Sequence, residues 1–505
     1  MKGYPTITIS PNLKAVSIGL LLGIGFVWPV VWWLYIPGFI WFLEIVRQER
    51  IWLRAVRIGW LVWWVKAALV ISWLWSTYPL EWLPIGGSGT QLGFIALYWL
   101  TTALWVSVGG VLFAGVLWWL LRQINYAVVT ITVPFLWLLA ELVGAVSFSL
   151  FFIGGNTSLS IAYGYGFIGY LLAAHEWLFQ ISAWWGIYSL SIAATIIPVS
   201  TWWWYQQPSF QYRYGLVAVI SLLSLNMLPY PASYDRSAAG ENKISVVALE
   251  TNFSGNMQQT EEDNIRKKQL LTQAIEQLPL DDIDYIIFPE DARFITDQQI
   301  SFLTLARYRN LFTSGTTKVI DSGPVTDVYG TALRGTILDT ATMKVEQADK
   351  QFLVPQGEYM PRLYEVFFLL LGLRSELELV TKRLQYQPGP LKEQNFSASS
   401  PSILFCFASA HPNGVRSLLR QRDTRPPFIA HPISHAWFNS PTLLWQQTDT
   451  FLRVHARWNR IPIVSAGNSA PSTLYTPTGE VIRGTEVDVL LDTAEVRAYR
   501  FTLSN

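Results

Sequence analysis

The chain has 505 residues, 51% of them hydrophobic, and a formal net charge of +1. That balance excludes a nucleic-acid binder or a module held to an acidic partner by bulk charge. A single cysteine, Cys406, rules out an internal disulfide and argues against a cysteine-based metal cluster, so neither a metal nor another cofactor is expected.

The apolar residues crowd the first half. A helix needs about 20 of them to cross a hydrocarbon layer of about 30 Å. Residues 13–28, 30–47, 57–79, 92–121, 126–150, 176–205 and 214–230 supply seven such runs, the first two short and divided near Pro29. Lys2 and Lys14 precede an apolar region with no small-residue cleavage site, so the first span is expected to stay as an anchor. Arg47, Arg50, Arg54 and Arg57 crowd the second connection, and Arg122 and Arg213 mark the fourth and sixth. Segments 80–91 and 151–175 carry no Lys or Arg. The positive-inside rule then places the N-terminus in the cytoplasm and everything after Tyr230 on the far side of the membrane. Tryptophans at span ends, such as Trp32-Trp33, Trp118-Trp119 and Trp202-Trp203-Trp204, suit interfacial belts, although lipid-facing bulk explains any one of them equally well. Lys66 falls near the middle of the third span, where an unpaired charge costs about 2.5–3.5 kcal/mol, so Glu44 or Glu141 is expected to pair with it. Gly154-Gly155-Asn156-Thr157-Ser158 and Tyr163-Gly164-Tyr165-Gly166 read as a loop at the outer surface.

Between Pro229 and Lys243 the composition turns polar with Pro and Gly. This divides the chain into a helical membrane domain, 1–230, a linker, 231–242, and a second domain, 243–505. Ile244 to Leu249 reads as a buried strand, and Thr260 with Asp263 as a capping box opening a helix with Ile265, Leu271, Ile275 and Leu278 on its apolar face. Asp284 to Phe288 is the next strand, which places Glu290 at the carboxyl end of a strand, where α/β sheets build their sites. The alternation continues with a helix at 297–312, a hairpin across Leu338-Asp339-Thr340, and a strand at 402–407. After these come a helix at 414–421, a strand at 428–433, a helix at 442–459, a strand at 461–466 and a hairpin at Pro477-Thr478-Gly479.

Three places in this domain carry chemistry. Glu290 follows the apolar run Tyr285 to Pro289. Lys350 and Glu358 stand eight residues apart in Gln347 to Pro361, and Cys406 lies inside Ile403 to Phe407. A carboxylate, an ammonium and a thiol where strand patterns meet loops are the parts of an acyl-transfer site: base, oxyanion partner and nucleophile. A strand cysteine taken alone is more often a small packing residue; the neighbouring Lys and Glu motifs reverse that in favour of the reactive reading. Lys350→Ala is expected to be nearly silent for folding and severe for turnover. Val366 to Leu373 is too short to cross a bilayer, and either dips into its interface or forms core.

Taken together these motifs resemble those of apolipoprotein N-acyltransferase, a bacterial enzyme with a nitrilase-like domain on a membrane bundle. Phe288-Pro289-Glu290 is similar to the family's Trp-Pro-Glu, and Asp349-Lys350 through Leu353-Val354-Pro355-Gln356-Gly357-Glu358-Tyr359 to its lysine motif. Gln387-Pro388-Gly389, Ala436-Trp437-Phe438 and Arg457 to Asn468 also resemble family segments. The resemblance implies an αββα sandwich and a ping-pong reaction at the outer side of the bacterial cytoplasmic membrane. Cys406 would take an acyl chain from a phospholipid and pass it to the amine of a diacylglyceryl lipoprotein. Glu290 would be the base, Lys350 the oxyanion partner and Glu358 an assistant near the amine. Membrane lipids are the surroundings, and a monomer is expected.

The chain departs from the family at several positions. Cys406-Phe407-Ala408 replaces Cys-Tyr-Glu, Gln259 stands where the family tends to have tryptophan, Ser434-His435 replaces Asn-Asp, and no apolar span follows residue 480. Two further readings therefore stand beside the acyltransferase: a membrane-tethered amidase using the same residues, and a non-catalytic or diverged protein that keeps the fold.

Overall fold

The computed structural model describes residues 10–80, 87–155, 157–206, 243–255, 260–295, 311–312, 317–328, 330–383, 386–389, 396–483, 489–492 and 495–504. The chain divides into two compact units, one of Met1–Trp75, Phe94–Leu150 and Tyr163–Tyr230, the other of Ser76–Gly93, Phe151–Ala162 and Pro231–Asn505.

The first unit is helical. Its elements are α1 (Pro11–Val27), α2 (Tyr35–Gln48), α3 (Trp52–Val70), α4 (Ser88–Val106), α5 (Val108–Gln123) and α6 (Tyr126–Phe151). Three short turns, α7 (Gly169–Ala173), α8 (Glu176–Phe179) and α9 (Ser182–Trp185), lead into α10 (Ile187–Gln206). Among the described residues three stretches, Pro29–Gln48, Ser88–Gln123 and Tyr126–Phe151, are long and apolar enough to cross a membrane. The run at 92–121 forms two helices with a bend at Ser107, where the Gly110 N–H donates to the Ser107 carbonyl at 2.9 Å. The expected third span, 57–79, is helical only to Val70 and continues as a 3-10 turn, Ser72–Thr77. The expected sixth span, 176–205, is continuous only from Ile187, because Gly186 ends α9 at φ 59°, a conformation that suits glycine. The seventh, 214–230, and the linker at 231–242 lie outside the described residues, as do Gln259 and most of the helix expected at 297–312.

Small residues let these helices approach closely. A Cβ on Gly59 would meet the Gly110 carbonyl oxygen at 2.3 Å, and one on Gly109 would meet that of Ala140 at 2.2 Å. Of the two carboxylates expected to pair with Lys66, Glu141 does so, at 3.8 Å. Glu44 instead accepts from Arg47, Gln48, Trp202 and Gln206.

The second unit is an α/β domain with two half-sheets face to face. In the first, β1 (Lys243–Thr251) runs parallel to β2 (Tyr285–Ile287), and β2 parallel to β3 (Lys318–Asp327). Then β4 (Gly330–Asp339) and β5 (Val345–Asp349) follow antiparallel. The second holds β6 (Ser402–Ile403), β7 (Ile429–Ser434) and β8 (Ile463–Asn468), all parallel, with β9 (Thr473–Tyr475) and β10 (Val481–Ile482) antiparallel. The pair β11 (Val489–Asp492) and β12 (Val496–Ser504) closes antiparallel onto β1. The halves meet at Thr251 and Asn468.

Strand alternation sorts the side chains into three cores. Val246, Ala248 and Ile287 meet Phe405, Ala430 and Val464 between the sheets. Val247, Leu249 and Ile286 pack outward with Leu271 and Ile275 of α11 (Glu261–Glu276), whose N-terminus has the expected Thr260–Asp263 capping box. Leu404, Ile429 and Ile463 pack outward with Val415 of α14 (Gly414–Arg420) and Leu452 and Ala456 of α15 (Thr442–Asn459). The layers are therefore helix, sheet, sheet, helix. The remaining helices, α12 (Arg362–Leu370) and α13 (Arg374–Arg383), interrupt this pattern between β5 and β6.

Candidate active site

Four loops at the strand ends bring the predicted residues together. Glu290 stands in the turn after β2. The Phe288 N–H donates to Ile320 O at 2.9 Å, and the Asp291 and Arg293 N–H groups donate to Ser322 Oγ and O at 3.1 Å each. Asp291 and Arg293 both have φ near +60°, uncommon for residues with a side chain, and their mutual ion pair at 2.7 Å helps hold that turn. Glu290 is thus fixed while only 8% exposed.

Lys350 extends the last strand of its half-sheet. Its N–H donates to Leu333 O at 2.8 Å, and Arg334 grips the neighbouring Asp349 with two bonds of 2.6 and 3.0 Å. From the far side the Gly389 N–H donates to Lys350 O at 2.8 Å, where any Cβ on Gly389 would lie 2.7 Å from Asp349. This explains Gln387-Pro388-Gly389 physically: it is the strap over the lysine.

Glu358 sits in a tight turn. Val354 O accepts from the Glu358 N–H at 2.9 Å, and Glu358 Oε2 accepts from the Val354 N–H at 2.8 Å. Gln356 takes φ 62°, and Gly357 carries the Trp437 ring so closely that a Cβ there would meet it at 1.9 Å. The tryptophan of Ala436-Trp437-Phe438 therefore shapes the glutamate turn.

These loops converge on one ammonium. Lys350, fully buried, donates from Nζ to Glu290 Oε1 at 3.0 Å and to Glu358 Oε1 at 2.6 Å. Burial alone would depress its pKa; the two carboxylates outweigh that and hold it above the ordinary lysine value. Burial raises Glu290, Lys350 opposes it and Glu358 adds to it, so its pKa is pushed up to about 7. Both oxygens of Glu358 are engaged, so in this geometry it orients Lys350 and its own turn.

Cys406 completes the group, and here the structure corrects the sequence reading. Strand β6 ends at Ile403, and Cys406 opens a 3-10 turn, Cys406–Ala410, in place of the expected strand to residue 407. The turn is self-bonded, Ala408 N–H to Phe405 O at 2.9 Å and Ser409 Oγ to Cys406 O at 2.6 Å, so its backbone leaves the ladder. The cysteine keeps part of its surface accessible, and its Sγ lies 3.8 Å from Ser434 O. Packing around the thiol raises its pKa above the ordinary value; Glu290 adds to the rise and Lys350 opposes it. At rest Cys406 is therefore a neutral thiol.

The sequence did not reveal what holds this turn. His455 of α15 donates from Nε2 to Ser409 O at 3.0 Å, and burial pushes its pKa down to about 4, which keeps it neutral. His411 accepts the Asn413 N–H at Nδ1 and lies against Phe352 with ring centroids 4.5 Å apart, joining the Cys406 turn to the lysine loop. Asn468 bonds Thr251, Phe253 and Ser434, tying the ends of β1, β7 and β8. Its place in the run Arg457 to Asn468 was visible, but not this task. Ala408 packs into the apolar core with Val415 and Leu452. Among the described residues no group of three His, Cys, Asp or Glu side chains could hold a metal ion.

No family model matches the chain, and no curated protein matches it. Among solved structures it is similar to an amidase from Nesterenkonia sp., with 14% identity over 51% of this chain and 90% of that one, at a TM-score of 0.35. It is also similar to a nitrilase-superfamily protein from Saccharomyces cerevisiae, with 13% identity, 52% and 90% covered, and a TM-score of 0.34. A third is a glutamine-dependent NAD+ synthetase from Acinetobacter baumannii, with 12% identity, 52% and 46% covered, and a TM-score of 0.33. Likeness at this level assigns neither an activity nor a subfamily.

The burial of Lys350 corrects the expectation that Lys350→Ala spares the fold. Removing it leaves two buried carboxylates without their cation, so we expect a loss of about 3–5 kcal/mol in denaturant unfolding of the purified protein. For Glu290, the carboxylate form predominates only above about pH 7. Iodoacetamide labelling of Cys406 should therefore accelerate as pH rises through 7, and Glu290→Gln should slow labelling and remove that inflection.

Proposed function

We propose that the protein is a membrane-bound, nitrilase-type N-acyltransferase that moves an acyl chain from a phospholipid to the N-terminal amine of diacylglyceryl-cysteine lipoproteins. The observation that carries this reading is the Lys350 ammonium held between Glu290 and Glu358 beside Cys406.

Glu290 takes the thiol proton as Cys406 Sγ attacks the ester carbonyl of the lipid, and Lys350 stabilises the oxyanion that forms. Collapse breaks the ester C–O bond, and Glu290 returns the proton to the departing lysophospholipid oxygen. In the second half the lipoprotein amine attacks the thioester and gives its proton to Glu290. The C–S bond then breaks, and that proton restores the thiol. Glu358 keeps Lys350 in place throughout, and no redox partner is needed.

Helix α12 supports a lipid substrate. Val366, Phe367, Leu370 and Leu371 are 51%, 41%, 78% and 62% exposed, while Tyr364 and Phe368 anchor the other face. The core alternative for this segment is therefore set aside; an exposed apolar helix a few residues after Glu358 suits immersion in a lipid interface. Its start is held by residues that follow the apolar helix α6: Tyr359 OH donates to Phe152 O at 2.7 Å, and the Arg362 N–H to Ile153 O at 3.0 Å. The bacterial cytoplasmic membrane, with the α/β domain on its outer side, is the proposed location.

Incubation of the purified full chain with phospholipid vesicles should leave Cys406 carrying one acyl chain, read as an intact-mass increase absent from Cys406→Ser. Unmodified protein together with no released lysophospholipid would favour the non-catalytic reading; free fatty acid without an accumulated thioester would favour the amidase.

A further inference from the structure

The helical unit contains a buried polar site that the proposed reaction does not use. Lys66 of α3 and Glu141 of α6 are 2% and 5% exposed, with Nζ and Oε1 3.8 Å apart, too far for a hydrogen bond. The ammonium lies 4.7 Å from the centre of the Trp63 ring and 5.1 Å from that of Trp137, whose π faces favour a cation. Glu141 Oε1 is already committed, accepting from Trp137 Nε1 at 2.9 Å and from the Ile168 N–H at 2.6 Å. The Ser191 side chain also reaches the Glu141 carboxylate, whereas Glu141 Oε2 and the Tyr163 hydroxyl are buried and have no partner in hydrogen-bonding geometry among the described residues. Lys66, Glu141 and Tyr163 all line one cavity of about 20 Å³, walled on its apolar side by Val70, Val106 and Ala145.

Size and charge decide what such a cavity takes. A water needs about 10–15 Å³ and two to four polar partners, so this space has room for one water. Lys66 and Glu141 leave the site without net charge, which disfavours a free cation as much as a free anion. A single water can accept from the ammonium and donate to the free carboxylate oxygen, leaving a second donor or acceptor position for the phenol. We propose that the cavity is an internal hydration site in which one water bridges Lys66 Nζ, Glu141 Oε2 and Tyr163 OH. The bridge ties the non-helical stretch from Tyr163 to Phe167, whose irregular backbone is buried in the helical unit, to α3 and α6. Irregular backbone inside a membrane bundle persists only where protein or water satisfies it.

Two measurements on the full chain test this. A structure of the solubilised protein at a resolution that shows ordered water should place one water within hydrogen-bond distance of Glu141 Oε2 and Tyr163 Oη. An empty cavity, or Lys66 Nζ bonded directly to Oε2, would overturn the proposal. Thermal unfolding of Tyr163→Phe gives an independent sign. If water fills the site, removing the hydroxyl loses a bridge, and the Tm falls by about 2–4 °C. If the site is dry, the variant removes an unpaired buried hydroxyl, and an unchanged or higher Tm would contradict the proposal.

Discussion

One ammonium between two carboxylates organises the α/β domain. Lys350 is out of water, and it persists as a cation only because Glu290 and Glu358 come to it from separate loops. Each of those loops takes an unfavourable backbone angle to do so, at Asp291 and Arg293 on one side and at Gln356 on the other. Local strain of this kind survives where the surroundings overdetermine it. Here the surroundings are Ser322 under the first turn, and Trp437 with the Glu358–Val354 bonds around the second.

The same charge arrangement divides the chemical work. A glutamate raised toward neutrality can accept a proton and give it back at physiological pH, whereas an ordinary carboxylate holds protons too weakly. An ammonium kept above its ordinary pKa stays a hydrogen-bond donor for an oxyanion. The thiol is kept neutral at rest by its packed surroundings. A neutral His455 fixes the Cys406 turn through a carbonyl without adding charge to the site.

Much of this was legible in the sequence because it is local. The eight-residue spacing of Lys350 and Glu358 survives as one strand end followed by one tight turn, and Glu290 follows a strand whose apolar run is unbroken. Cys406 was placed in a strand because Ile403 to Phe407 is apolar throughout. What ends β6 is the turn itself: after the Leu404 N–H donates to Ala430 O, the Phe405 and Cys406 carbonyls serve the 3-10 turn, and its long-range support, from His455 to Ser409 O, has no sequence signal. The run at 176–205 misled in the same way, since apolar composition does not show that Gly186 breaks the helix. For Lys66 the choice between Glu44 and Glu141 could have been narrowed, because Arg47 stands three residues after Glu44 and is its natural helix partner.

The product of acyl transfer distinguishes it from every other use proposed for these residues. The most direct measurement is incubation of the purified full chain with phospholipid and a diacylated lipopeptide, followed by mass analysis of the peptide. The expected product is an N-acylated peptide formed one for one with lysophospholipid. Lysophospholipid with free fatty acid and an unchanged peptide, or no reaction at all, would contradict it.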